Sequence, residues 1–321
     1  MKVNNFTSIE ICAGAGGQAL GLEMAGFRHI ACVENDPGAI ATLSLNRGNS
    51  WGVTQADVRE WKYSGTAAVT LLAGGVPCPP YSIAGKQLGE SDERDLFPEI
   101  IRLTAEIKPR VVLVENVRGL LSSKFADYRS KILERFQEMG YIGEWELLQA
   151  ADFGVPQLRP RSILVCMNPN DFEHFKWPVP SNEPRTTVGE ILFESMAENG
   201  WLGADEWARG ASSIGPTLVG GSKKHGGADL GPTRAKAEWA KLGVDGLGLT
   251  EETPAKDFVG MPRLTVFQAM LIQGFPASWK IVGKKTSAYR QVGNAFPPPV
   301  ARAIGLSVIK ALKLSDKKSK M

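Results

Sequence analysis

A short β-type run, Ser8-Ile9-Glu10-Ile11-Cys12, breaks at a glycine-rich turn, Ala13-Gly14-Ala15-Gly16-Gly17, and a helical pattern follows through Met24. A strand that feeds a helix through glycines is the opening unit of a βαβ sheet. The alternation repeats through the first half of the chain. Residues 29–33, 69–73 and 111–114 read as further strands, the last two as the continuous apolar runs that parallel sheets bury. Asp36-Pro37 reads as a helix N-cap with proline at the first helical position. Residues 147–150 and 162–167 read as a closing antiparallel pair. The predicted fold class is α/β, a Rossmann-like sheet with a smaller, irregular second domain.

The texture changes after about Lys176. Residues 177–262 are rich in Gly, Pro and Trp, their periodicity is weak, and the stretch 215–227 reads as loop. A long irregular insert in a compact protein is functional or disordered. Trp201, Trp207 and Trp239 argue against disorder, because disordered segments are poor in aromatics. Helical patterns return at residues 264–272 and 298–314, and the lysines from Lys310 to Lys320 read as a solvated tail.

The formal net charge of +3 permits a nucleic-acid partner without demanding one. Cys12, Cys32, Cys78 and Cys166 show no paired spacing, and His29, His174 and His225 are isolated. That pattern points to a reducing compartment and away from a disulfide framework or a metal site. No apolar stretch is long enough to span a membrane, and the first residues contain no apolar signal core.

Several short strings carry chemistry. Gly14-Ala15-Gly16-Gly17-Gln18-Ala19 fits a dinucleotide-type turn, and Glu34 ends the second strand, where an acid binds ribose hydroxyls. NAD and S-adenosylmethionine (AdoMet) fit this pair equally well. Asp57, before Val58, ends another strand and could accept from an adenine amine; as a lone residue it is a turn or cap. Cys78 stands between Pro77 and Pro79, beyond Gly74-Gly75 at the end of a strand. Open α/β sheets place ligands there, and the prolines aim the thiol. Deprotonated, it is a nucleophile; taken singly, it would be a buried structural cysteine. Glu115, in Glu115-Asn116-Val117, follows a buried strand, where desolvation raises a carboxyl pKa and fits it to donate a proton near neutrality. Arg159 and Arg161, in Gln157-Leu158-Arg159-Pro160-Arg161, alternate on an extended segment and point together toward an anion or a carbonyl. A proline-rich string, Gln291-Val292-Gly293-Asn294-Ala295-Phe296-Pro297-Pro298-Pro299, leads into the last helix.

Taken in order, these strings make the chain resemble the DNA (cytosine-5) methyltransferases over nearly its whole length. The glycine motif matches residues 10–17, the Pro-Cys motif Pro77-Cys78, the Glu-Asn-Val motif residues 115–117, and the Gln-x-Arg-x-Arg motif residues 157–161. Pro262-Arg263-Leu264-Thr265, Gln273-Gly274-Phe275-Pro276 and Gln291-Val292-Gly293-Asn294 match the late motifs. The chain departs from the family at Cys12, usually phenylalanine, at Pro79, often glutamine, and at Gln268, often glutamate.

The resemblance implies AdoMet as methyl donor, S-adenosylhomocysteine as product, and no metal. It implies Cys78 as a nucleophile on C6 of a flipped cytosine, Glu115 as an acid at N3, and Arg159 and Arg161 orienting the base or Glu115. Ala13, Gly14, Gly16, Gly17, Glu34, Asp57, Val58, Pro77 and Asn294 would hold the cofactor, and the segment 79–95 would close over the base. The expected organisation is a catalytic domain over 1–176, a target-recognition domain over 177–286, and a segment over 287–321 that returns to the catalytic domain. The expected partner is duplex DNA bound by a monomer, in the bacterial cytoplasm at the nucleoid, with any cognate restriction endonuclease acting independently and no membrane. An NAD-dependent oxidoreductase would leave the Pro-Cys, Glu-Asn-Val and Gln-x-Gly-Asn strings unexplained. An RNA methyltransferase fits the insert less well than a DNA enzyme, and intact Cys78 and Glu115 argue against a non-catalytic DNA-binding relative.

Overall fold

The computed structural model describes residues 6–76, 95–221 and 227–319. The chain divides into two units. The first holds residues 1–148, 160–179 and 300–321, and the second residues 149–159 and 180–299. Relative to the expected boundaries, residues 149–159 and 287–299 group with the second unit.

The first unit is built on a seven-stranded sheet in the order β3-β2-β1-β4-β5-β7-β6. Its strands are β1 (Thr7–Ile11), β2 (Arg28–Glu34), β3 (Val53–Gln55), β4 (Leu71–Gly75), β5 (Val111–Val117), β6 (Ile142–Gln149) and β7 (Pro160–Met167). Neighbours from β3 to β5 run parallel, and β7 lies antiparallel to β5. The apolar runs expected for buried strands fill the centre. Leu71, Leu72, Val111 through Val114 and Ile163 through Met167 have no exposed surface. Each such side chain contributes about 1.5–3 kcal/mol over its exposed state.

Helices α1 (Gly17–Ala25), α2 (Pro37–Arg47), α3 (Phe97–Ile107), α4 (Ala126–Glu138) and the single turn α5 (Pro169–Phe172) follow the strands. Asp36 caps α2 as expected, its side chain accepting the Gly38 and Ala39 N–H groups with Pro37 in the first turn. The amphipathic α3 turns Phe97, Ile100 and Leu103 inward. Polar groups are also buried in this unit. His29 Nε2 lies 2.8 Å from the Ala19 carbonyl oxygen, and Nδ1 lies 2.9 Å from the Ser8 hydroxyl. A carbonyl only accepts, so Nε2 carries the proton and Nδ1 accepts from Ser8.

The second unit corrects the reading of residues 177–262 as an irregular insert. It contains α6 (Val188–Ala197), α7 (Ala204–Gly210), α8 (Thr233–Lys241), α9 (Val266–Ile272) and α10 (Lys285–Asn294). A capping box at Thr187 and Glu190 starts α6, and a second, at Thr265 and Gln268, starts α9. Trp239 is fully buried, and Trp201 packs on Trp207 and edge-on to Phe258. The tryptophans therefore form this unit's core. Gln268 has a local reason to be an amide, since its nitrogen donates to the Ser195 hydroxyl, 3.1 Å away. The last helix, α11 (Pro298–Lys318), extends beyond the expected residue 314 and takes in much of the lysine-rich end. Among the described residues no helix is long and apolar enough to cross a membrane.

Candidate active site

Strand order reverses between β1 and β4, so the crevice beyond the carboxyl ends of these strands is where an open α/β sheet receives a ligand. Register fixes which residues reach it. Ile11 pairs with Val33 on one side and Gly74 on the other, Glu34 ends β2, and Gly75 pairs with Glu115. Glu34, Gly75 and Glu115 therefore stand at the ends of β2, β4 and β5, beside the turn that follows β1.

That turn is tight. Gly14 and Gly16 have φ of 53° and 83°. Cys12 shares the left-handed region at φ 52°, a conformation that costs a non-glycine residue about 1–2 kcal/mol. Glu34 holds the turn from the neighbouring strand. Its Oε2 accepts the Gly14 N–H at 2.8 Å, and its Oε1 accepts the N–H groups of Asn35 and Asp36, each at 2.8 Å. Ala13 is buried and Gly17 opens α1. The turn thus offers close backbone approach, with a carboxylate fixed beside it.

Asp57 lies beyond β3, next to buried Val58. Its carboxylate binds the Arg59 guanidinium at 2.5 Å and the Arg59 N–H at 3.0 Å. The hydrogen bonds from the Arg59 side chain and backbone hold the Asp57 carboxyl down to about 2, so it is ionised near neutrality. An adenine amine would share it with Arg59.

Glu115 is nearly buried, at 8% exposure, and Arg161 answers its charge. The antiparallel pairing sets Val117 opposite Arg161 and Ile163 opposite Glu115, so Arg161 and Glu115 are diagonal neighbours on one face. Arg161 Nε donates to Glu115 Oε1 at 2.8 Å. The guanidinium thus fixes the orientation of the Glu115 carboxyl group. Asn116, with no exposed surface, directs its amide toward the Val76 carbonyl, 3.5 Å away, just before the Pro77-Cys78 segment. Asn116 was read from sequence only as part of the Glu115-Asn116-Val117 string and given no role of its own, although its place between Glu115 and Val117 was the available signal. Pro77, Cys78 and the segment 79–94 lie outside the described residues.

Arg159 and Arg161 do not act as a pair. Arg159 is fully buried in the second unit, and its guanidinium donates to the carbonyls of Leu218, Gly293 and Ala295 at 2.8–2.9 Å. Gln157 joins this hub. Its Oε1 accepts the Leu218 N–H at 2.9 Å, and its Nε2 donates to Gln273 Oε1 at 2.7 Å, while Gln273 donates to the Ala295 carbonyl. The alternation argument failed because the chain passes from one unit to the other at Pro160. Asn294 ends α10 and donates to the Gly221 carbonyl at 3.2 Å.

The other three cysteines have thiols pushed up: Cys32 and Cys166 by burial, Cys12 by burial and then the carboxylates of Glu34, Asp57 and Glu10. A raised thiol is a poor nucleophile.

Residues 6–310 match the model of the C-5 cytosine-specific DNA methylase family. The chain is 54% identical to the type II methyltransferase M.NgoMIV of Neisseria gonorrhoeae, over 96% of this chain and 98% of that one. It is 53% identical to the type II methyltransferase M.NaeI of Lentzea aerocolonigenes, over 95% and 75%. Among solved structures, the methyltransferase EhMeth of Entamoeba histolytica superposes with a TM-score of 0.66 at 15% identity, covering 96% of this chain and 99% of that one. The S. pombe Dnmt2 methyltransferase does so with a TM-score of 0.61 at 16%, covering 98% and 99%. The chain therefore belongs to the C-5 cytosine-specific DNA methylases and is a DNA (cytosine-5) methyltransferase.

Proposed function

We propose that the chain methylates C5 of a cytosine flipped out of a specific duplex DNA sequence, through a covalent bond between Cys78 and C6. The observation that carries this reading is the Glu115–Arg161 pair near the carboxyl end of β5, beside Gly75, which itself lies two residues before Pro77. AdoMet, when bound, supplies an electrophilic methyl group. The fixed carboxylate of Glu34 and the close-approach turn at residues 13–17 suit its ribose and amino-acid ends, Asp57 and Val58 its adenine, and Pro77 and Asn294 complete the set.

C5 of cytosine is a weak nucleophile. The Cys78 thiolate adds to C6, and the electron pair of the C5–C6 double bond moves into the ring as Glu115, having taken up a proton from water before the base docks, delivers it to N3. Arg161 holds Glu115 in place and supports the carboxylate left after the proton departs. C5 then gains the methyl group, its proton leaves to water, the Cys78–C6 bond breaks with return of the thiolate, and N3 gives its proton back. Arg159 acts at a distance, holding the carbonyls at residues 218, 293 and 295. A stacked base cannot reach these groups, so the target must be flipped, at roughly a few kcal/mol.

Residues 177–286 read the sequence, the preceding residues and the chain end form the catalytic domain, and the chain acts as a monomer on DNA in the bacterial cytoplasm. Its relatives' designation as type II methyltransferases supports a place in a restriction-modification system, with the endonuclease acting separately. Duplex DNA carrying 5-fluorocytosine at the target should trap an AdoMet-dependent adduct that survives a denaturing gel, because fluorine cannot leave as the C5 proton does. An undiminished adduct in Cys78→Ser would overturn the assignment.

A further inference from the structure

Gln18, in the first turn of α1, has only 3% of its surface exposed, yet among the described residues nothing hydrogen bonds to its amide oxygen or its amide nitrogen. A buried amide without partners costs about 1–3 kcal/mol for each unmade bond. Such a side chain is retained where something else completes it. Its surroundings indicate what. A methyl group built on Gly75 would stand 3.9 Å from Gln18 Oε1, 3.9 Å from the Cys12 carbonyl oxygen and 3.4 Å from Glu115 Oε2. Three acceptor oxygens therefore face the side of Gly75 that has no Cβ. A second buried oxygen without a partner, Glu10 Oε2, belongs to the strand beneath, and the Glu10 carboxyl bonds the backbone at Ala19, next to Gln18.

Acceptor oxygens gathered around a missing side chain suit a group with several N–H donors. The amide nitrogen on the same residue suits an acceptor beside that group. A primary ammonium next to a carboxylate presents both, and the positive end of the α1 backbone dipole favours the carboxylate. We propose that Gln18 binds the amino-acid end of the cofactor, its oxygen toward the ammonium and its nitrogen toward the carboxylate. This inference rests on the reading of the crevice as an AdoMet site, and it assigns to a side chain the discrimination that the glycine turn alone would leave to backbone.

The test separates the two ends of the ligand. S-adenosylhomocysteine has the amino-acid end, and 5′-methylthioadenosine keeps the adenosine and sulfur but lacks it. Calorimetry on the full chain should give Gln18→Leu about tenfold or weaker affinity for S-adenosylhomocysteine, the loss of one or two hydrogen bonds to charged groups, with methylthioadenosine affinity unchanged. Gln18→Glu, which keeps the shape and the acceptors but loses the donor, should also weaken S-adenosylhomocysteine selectively. It serves where the leucine variant fails to fold by circular dichroism. Equal losses for both ligands, or no loss for either, would overturn the proposal, the first marking a structural role and the second an amide completed by water. If the unaltered protein binds neither ligand, the AdoMet reading falls, and this inference with it.

Discussion

Glu115 and Arg161 illustrate how much a single buried pair constrains. Each is mostly removed from water, so each charge leans on the other. Arg161→Met should destabilise the protein by about 3–5 kcal/mol, because it leaves a buried carboxylate without its cation. Glu115→Gln should slow methyl transfer far more than it weakens AdoMet binding. The double variant should recover stability lost in Arg161→Met, as read from denaturant midpoints, and strict additivity would refute the coupling. His29 permits a different test. Burial pushes its imidazole down to about 4, against about 6.5 for an exposed histidine. The native state therefore refuses a proton that the unfolded chain accepts. This contribution is constant above pH 6.5 and is lost as pH falls toward 4, by about 3 kcal/mol over the window. Melting temperatures followed from pH 7 to pH 4 should fall more steeply in the unaltered protein than in His29→Gln, and parallel curves would exclude His29 as the cause.

At the scale of elements, legibility followed the strength of local signals. The strand–glycine–helix opening, the Asp36 cap and the apolar runs of β4 and β5 were readable because burial on both faces leaves continuous apolar sequence. Helices α6, α7 and α8 were not. The last two are short, and each turns few large apolar residues inward beyond Trp207 or Trp239, so no stripe marks them. The role of Arg159 was hidden for another reason. Its partners are backbone carbonyls 59 to 136 residues away, and carbonyls carry no residue signature. The resemblance implied that Arg159 and Arg161 orient the base or Glu115, but that Arg161 alone pairs with Glu115 needed the β5–β7 register. In the expected recognition domain, Lys223, Lys224, His225, Arg234 and Lys236 suit phosphate and base-edge contacts, and two of them can be sorted in the same way. Lys236 is held by Asp229 at 3.0 Å, whereas Arg234, on α8, is exposed. If α8 faces the phosphates, Arg234→Ala should lower the slope of log affinity against log salt by about 1, with no change in the sequence methylated. An unchanged slope would take α8 off the backbone. Lys223, Lys224 and His225 lie outside the described residues.

At the scale of the whole molecule, the chain leaves its first unit after Leu148, returns at Pro160, leaves again near residue 180 and returns at Val300. The excursion over residues 149–159 is what makes the second unit more than an insert. Gln157 and Arg159 bind residues 218, 272–273, 293 and 295, and the main chain at Leu158 and Gly215 is hydrogen bonded as well, at 2.8 Å. Removing residues 215–227 to test recognition would cut this hub, so loss of function would say nothing about DNA. Exchange is the better experiment. A chimera that takes residues 180–286 from a relative of different specificity, while retaining Leu218, Ile272 and Gln273 at their positions, keeps the partners of Gln157 and Arg159. It should fold, and bisulfite sequencing of DNA from cells that express it should show the donor's methylation context. The same exchange with Gln273→Leu removes a buried hydrogen-bond pair and should lower stability by roughly 1–3 kcal/mol without redirecting the site. A folded chimera that still methylates the original sequence would place recognition outside residues 180–286.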